Sequence, residues 1–199
     1  MTASVTLAIL LLAAGASSRM RGGDKLMEQV DSAPLIATMA RRALPVAPTV
    51  IAVPSLTHPR AAALAALGVT LIPVPDADQG MSASIRAGIA ALPADSAAMI
   101  LPADMPEITT RDLITMAQAF AEAPDQIHRA TTADGTPGHP VIFPAHMLKD
   151  LAKLTGDQGA RTLLKTAPIT KVPLPGSHAT TDLDTPEAWA AWRSRAKAQ

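Results

Sequence analysis

Leu12 to Lys25 read LAAGASSRMRGGDK. The apolar run Val5 to Ala14 predicts a fully buried strand, which breaks at Gly15 into a small, polar, glycine-containing loop. That loop carries Arg19, Arg21 and Lys25 and no acid before Asp24. A buried strand followed by a backbone-rich turn and clustered cations is how an α/β protein cradles phosphate. Exposed amide N–H groups and ammonium or guanidinium groups there meet anionic oxygens. The loop is not a P-loop, because Leu26 follows Lys25 where Ser or Thr is required and the glycine spacing differs. The alternative is an ordinary strand-to-helix connection with solvated arginines.

Outward from the loop, strand and helix patterns alternate, which predicts an α/β sheet with crossover helices. Pro34 suits a first helical position behind Asp31 or Ser32, and PLIATMARRAL has helical spacing, with Arg41 and Arg42 on its solvated face. Thr49 to Val53 is a short β-branched run, and His58 to Leu67 is helical, stopped by Gly68. Val69 to Val74 returns as a strand, Gly80 to Leu92 as loop and helix, and Ala97 to Leu101 as a buried strand ending at Pro102. Thr109 to Ala123 reads as a helix, and Gln126 to Thr132 and Val141 to Phe143 as two strands about a turn at Asp134-Gly135. Pro144 to Leu154 and Asp157 to Ala167 read as helical, Ile169 to Pro173 as extended, and Thr185 to Lys197 as a closing helix. Trp189 and Trp192 face one side of that helix and pack it on the sheet, while Met105, Met116 and Met147 fill the core.

At 199 residues, with no long linker or repeat, the chain suits one domain, 1–199. Apolar residues make up 48% and charged residues 17%, a globular balance, and the net charge of zero gives no general attraction to nucleic acid or membrane. Without cysteine there is no disulfide, thiolate metal site or thiol nucleophile. No Lys or Arg precedes LAILLLAAGA, and the run is too short to span a bilayer, so the chain is read as cytoplasmic.

A mostly parallel sheet binds ligands at the carboxyl ends of its strands, where the remaining motifs fall. In LPADMP, Asp104 stands at the end of a buried strand between two prolines, and a lone carboxylate there suits a hard divalent cation whose other ligands come from phosphates, the alternative being a helix-cap or turn Asp. In DLDTPE, Asp184 is a candidate second metal ligand, although Asp or Thr before Pro186 is also an ordinary helix start. In DQGMSASIRAGI, Gly80 permits close approach and Ser82 and Ser84 offer hydroxyls to a nucleobase edge, or else cap the helix. GHP (Gly138 to Pro140) and GDQGAR (Gly156 to Arg161) read as turns, each with one titratable or cationic side chain.

Taken in order, LAAGASSRM with the later DK, GMSASIRAG, LPADMP, GHPVIF, GDQGAR and DLDTPE resemble the molybdenum cofactor cytidylyltransferase branch of the MobA-like nucleotidyltransferases, across nearly the whole chain. The resemblance implies a Rossmann-like, three-layer α/β/α fold of the nucleotide-diphospho-sugar transferase (GT-A) type. It implies transfer of CMP from CTP to molybdopterin, with Mg²⁺, pyrophosphate leaving. On that basis Arg19, Lys25 and Asp104 are catalytic, and Asp104 and Asp184 hold the metal. Leu12, Ala13, Ala14, Gly15, Lys25, Gly80, Ser82 and Ser84 bind the nucleotide, and His139 and Arg161 the acceptor. The related guanylyltransferases usually read LAGG where Ala13-Ala14-Gly15 stands here, so the Ala14 methyl narrows the slot toward a pyrimidine. A molybdoenzyme or its insertion chaperone is the implied recipient.

Nucleotidyl transfer to a phosphate needs no general base, since a phosphomonoester with a second pKa near ~6 is already ionised at neutral pH. Positioning and charge remain as the protein's task. The competing readings are the same fold acting on another base or phosphate acceptor, and a non-catalytic cofactor-binding or insertion protein.

Overall fold

The apolar run ahead of the signature loop forms β1 (Leu7–Leu12), with residues 8–11 fully buried. The computed structural model describes residues 6–93, 95–156 and 160–196. Val5, expected to start the strand, lies outside them, and Ala13 and Ala14 have already left the sheet. β1 pairs in parallel with β4 (Thr49–Val53) on one side and β6 (Ala97–Pro102) on the other, and β5 (Thr70–Pro73) extends the sheet beyond β4. Past β6, β8 (Pro137–Phe143) runs antiparallel to both β6 and β7 (Ile127–Thr131), and β9 (Ile169–Pro173) is parallel to β7. The seven-stranded order is β5-β4-β1-β6-β8-β7-β9, parallel except for β8, as the strand–helix alternation predicts.

Burial on both faces explains why β1 is apolar throughout rather than alternating. Ile9 and Leu11 join a core with α1 (Leu35–Ala43), α2 (Pro59–Leu64), α4 (Thr110–Glu122) and α7 (Pro186–Ala196). Leu10 faces the other way, toward α3 (Met81–Ala90). α5 (Leu148–Leu151) and α6 (Arg161–Thr166) cover that second face beside α3. Helices therefore flank the sheet in three layers, and among the described residues no helix is long and apolar enough to cross a membrane.

Trp189 is buried in the first core, edge-on to Trp192 at 5.8 Å, and Met105 and Met116 are buried as expected. Met147 packs partly buried against the second face.

Several local expectations are corrected. Asp31 and Ser32 do not start α1; both have positive φ (52° and 63°) and turn a hairpin between β2 (Gln29–Val30) and β3 (Ala33–Pro34). Arg42 is not solvated. It donates to the carbonyls of Pro106 and Ile108 at 2.7 and 2.8 Å, tying α1 to the segment after β6. α2 ends at Leu64, capped by Ala65, and Gly68 is not left-handed. The helix expected over Pro144 to Leu154 is a 3-10 turn followed by the short α5. GHP is not a turn but part of β8. Gly138 is required there because a Cβ would stand 1.8 Å from the carbonyl oxygen of Ala179. In GDQGAR, residues 157–159 lie outside the described residues, and Arg161 opens α6.

Candidate active site

The parallel registers bring the carboxyl ends of β1, β4 and β6 side by side, Leu12 opposite Ala52 and Pro102. Each strand then delivers one part of the site. The loop after β1 bends through left-handed Ser17 (φ 53°), a 3-10 turn at Ser18–Met20 and left-handed Arg21 (φ 52°), with Met20 and Leu26 buried as anchors. Non-glycine residues in this region cost of order 1–3 kcal/mol each, so something must hold them there.

That something is Arg60, at the start of α2 just after β4. Its side chain is 2% exposed and all five guanidinium N–H groups are used. It donates to both carboxylate oxygens of Asp24 (2.8 and 2.7 Å), to the carbonyls of Ala13 and Gly15 (2.6 and 2.8 Å) and to Ser17 Oγ (2.9 Å). Burial alone would raise the Asp24 pKa, but Arg60, the Leu26 N–H and Ser17 together lower it below the ordinary carboxylate value. Reading the sequence missed Arg60. The one signal was a lone cation in the Ala/Leu-rich stretch after a buried strand.

Lys25, at the far end of the loop, reaches across to the acids. Its Nζ lies 2.5 Å from Asp104 Oδ2 and 2.5 Å from Asp184 Oδ1. Arg19 NH2 lies 2.6 Å from Asp184 Oδ2. Burial would lower the Lys25 pKa, and the two carboxylates outweigh it, holding the ammonium above its usual value. Asp104 and Asp184 are distant in sequence but locked together by a backbone bond, Leu183 N–H to the Asp104 carbonyl at 3.1 Å. The helix-start duty falls to Thr185, whose Oγ1 accepts from Ala188 N–H at 3.2 Å, which leaves Asp184 free for the site. Arg21 pairs instead with Glu187 on the surface, both largely exposed.

Two convergent carboxylates fit a hard divalent cation with few protein ligands, and Asp104 Oδ1 is buried without a hydrogen-bond partner. Among the described residues no cluster of three or more His, Cys, Asp or Glu converges as a metal cage. A metal here would therefore take its remaining ligands from phosphates and water.

Three cavities open around these groups. One, of about 250 Å³, is lined by Leu12, Ala13, Ala14, Gly15, Gly80, Ser84, Lys25 and Asp104. Ser82 is not in this lining: it is fully buried in α3, where its hydroxyl accepts from Arg86 at 3.3 Å. Nor does either serine cap α3, whose N-cap is Gly80 at φ 98°. A second, of about 180 Å³, runs along Gly15 to Arg19 with Lys25 and Asp184. The third, a cleft of about 580 Å³, carries Arg19, Lys25, Asp104 and Asp184 together with Arg129, His139 and Arg161. Lys25 lines all three. His139 is half-buried. Burial, then the nearby guanidinium of Arg129, push its pKa down to about 4 against the pull of Asp104, so it is neutral at pH 7.

The arrangement suits three anionic or polar groups meeting at one cation and one metal-binding pair. The sequence matches the MobA-like NTP transferase domain over residues 9–172, while a comparison with curated proteins finds no match. Among solved structures, Rv0371c from Mycobacterium tuberculosis H37Rv superposes with TM-score 0.83 at 21% identity, covering 96% of this chain and 98% of that one. The same protein in complex with manganese gives 0.78 at 20%, covering 94% and 97%. CMP:2-keto-3-deoxy-manno-octonic acid synthetase complexed with CTP gives 0.75 at 16%, covering 98% and 99%. Molybdopterin-guanine dinucleotide biosynthesis protein A from Archaeoglobus fulgidus gives 0.73 at 14%, covering 97% and 100%. These low identities carry the fold, and the domain match carries the family: the chain belongs to the MobA-like NTP transferases and is a nucleotidyltransferase.

Proposed function

We propose that this nucleotidyltransferase transfers CMP from CTP to molybdopterin, releasing pyrophosphate. The observation that carries the transfer is the position of Lys25, shared by all three cavities and paired with both Asp104 and Asp184. On this reading the base and ribose occupy the cavity lined by Leu12 to Gly15, Gly80 and Ser84, and the triphosphate follows the loop past Arg19. The acceptor enters the cleft beside His139 and Arg161. Ala14 lines this cavity, and on this reading its methyl narrows the base slot in favour of cytosine.

An ionised acceptor phosphate oxygen attacks the α-phosphorus, the bond from that phosphorus to the β-phosphate bridging oxygen breaks, and pyrophosphate departs with the electron pair. No proton needs to be removed by the protein. Lys25 and Arg19 exchange their carboxylate partners for phosphate oxygens and stabilise the charge that develops there. A divalent cation, Mg²⁺ on this reading, would be held by Asp104 and Asp184 and would neutralise charge on the phosphates. The manganese complex of Rv0371c supports a divalent ion in this fold. The product would pass to a molybdoenzyme or its insertion chaperone, in the cytoplasm.

Pyrophosphate release, measured with CTP, GTP, ATP and UTP against molybdenum-loaded and metal-free pterin, tests the proposal. Turnover is expected with CTP, and Asp104→Ala should lower it by 10²-fold or more, the usual scale for one charge-stabilising contact. Preference for GTP would overturn the base assignment. Release of pyrophosphate only with a sugar or alcohol phosphate would overturn the acceptor.

A further inference from the structure

Asp104 and Asp184 sit on two segments that share no strand ladder, residues 104–112 after β6 and residues 175–184 before α7. Among the described residues one backbone hydrogen bond joins these segments, from Leu183 N–H to the Asp104 carbonyl. Side chains supply three more, and all three run to two acids. Glu107 Oε2 accepts from Ser177 Oγ at 2.7 Å and from Thr181 Oγ1 at 2.9 Å. Asp112 Oδ2, in the first turn of α4, pairs with His178 Nδ1 at 2.8 Å. An ionised carboxylate can only accept, so Nδ1 carries the imidazole proton here.

The two acids are fixed points. Asp112 is buried, and the same oxygen takes the Thr109 N–H and hydroxyl at 2.8 Å each, closing the capping box of α4. Ser177, His178 and Thr181 attach to these acids from a single turn, in which the Thr180 and Thr181 N–H groups donate to the Ser177 carbonyl. Buried Ala179, at the centre of the turn, receives the His139 N–H, and Leu183 follows shortly after. The turn thus stands between the acceptor wall and Asp184, and whatever fixes it fixes both.

We infer that Glu107 and Asp112 clasp the 177–181 turn and so hold Asp184 at its working distance from Asp104, making Glu107 and His178 positioning residues for the metal-binding pair. The inference rests on the two-carboxylate reading of the site and adds what sets the spacing of the pair. Lys25 draws both carboxylates together through its ammonium. During the proposed transfer Lys25 and Arg19 turn to phosphate oxygens, and two like charges would then push apart. The clasp persists through that exchange, because Glu107, Asp112 and His178 line none of the three cavities of the site. Hydrogen-bonded partners outside a metal's own ligands orient those ligands in this way.

Two measurements on the full chain test this: calorimetric titration with Mn²⁺ and hydrogen exchange at the Leu183 amide. His178→Ala and Glu107→Ala should each lower Mn²⁺ affinity about tenfold or more, the scale for such orienting partners, and strip protection from the amide. Glu107→Gln keeps an oxygen for both hydroxyls, and His178→Asn puts an amide nitrogen where Nδ1 stood, so both should restore the two readouts. Thr49→Val separates lost stability from lost positioning. It removes a buried hydrogen bond to the Ala47 carbonyl at the opposite end of the sheet, and should leave Mn²⁺ affinity unchanged. Should His178→Ala fail to fold, Ser177→Ala combined with Thr181→Val removes both donors to Glu107 and is judged by the same outcomes. If the wild type binds no Mn²⁺ while Leu183 protection still falls in the variants, the metal reading fails and the clasp stands. Mn²⁺ affinity that ignores His178 and Glu107, unchanged Leu183 protection, or an equal loss in Thr49→Val overturns the clasp.

Discussion

Asp104 and Asp184 each present a carboxylate oxygen to one ammonium, that of Lys25, in a site where all three side chains are 14–17% exposed. Lys25→Met leaves two close acids without their shared cation. The cost should be about 2–3 kcal/mol, somewhat below the ~3–5 of breaking a fully buried pair. In a thermal melt that is a drop of roughly 4–12 °C for a chain of this size. Millimolar Mn²⁺ should recover most of the loss in the variant and raise the wild type by less, because the metal then replaces the missing charge. A variant that melts like the wild type, or is indifferent to Mn²⁺, would sink the two-carboxylate metal site. Arg60 makes the complementary case. Arg60→Lys keeps the charge but cannot reach Asp24, Ser17 and two carbonyls at once, so it should still cost about 2–3 kcal/mol in denaturant melts and lower turnover more than tenfold. Lys25, Asp104 and Asp184 were legible because their neighbours in sequence announce strand ends and turns. Arg60 was not, because its five bonds all depend on β4 lying beside β1.

At the scale of elements, strand–helix alternation was readable because burial on both faces turns a strand into a continuous apolar word. The breaks were harder to read. Asp31 and Ser32 turn a hairpin without glycine or asparagine, and Gly68 ends nothing. GHP contains glycine and proline, the usual punctuation of turns, yet it lies within β8, because Gly138 lets the backbone of Ala179 pass against the strand. His139 N–H donates to that same Ala179 carbonyl at 2.8 Å. Gly138→Ala must therefore push backbone against backbone and break this bond. The expected loss is about 2–3 kcal/mol, and the acceptor KM should rise more than the CTP KM, since His139 lines the cleft and not the nucleotide cavity. Equal changes in the two KM values would mean that β8 supports the whole site rather than its acceptor side.

The formal charge of the whole molecule is zero, a number that conceals how its charges are sorted. Around the loop, the cations Arg19, Lys25 and Arg60 are matched by Asp24, Asp104 and Asp184, while Arg129 and Arg161 face the cleft without ion-paired acids among the described residues. Acid should therefore weaken the fold from this side first. The unfolded chain takes up a proton on His139 as pH falls through about 6.5, whereas the folded chain resists until about 4. Between those values the unfolded state binds more protons, so stability rises with pH and is lost on acidification. By pH 5 the loss from this one group should reach about 2 kcal/mol, from ~1.4 kcal/mol per pH unit. Asp24 acts in the same direction at lower pH, because its depressed pKa stabilises the fold above the ordinary carboxylate value and that contribution disappears as the folded group protonates. Urea midpoints measured from pH 7 to pH 5 should fall with unchanged slope in the wild type and stay nearly level in His139→Gln. If the glutamine variant follows the wild-type curve, His139 is not held neutral by burial and the neighbouring Arg129 guanidinium.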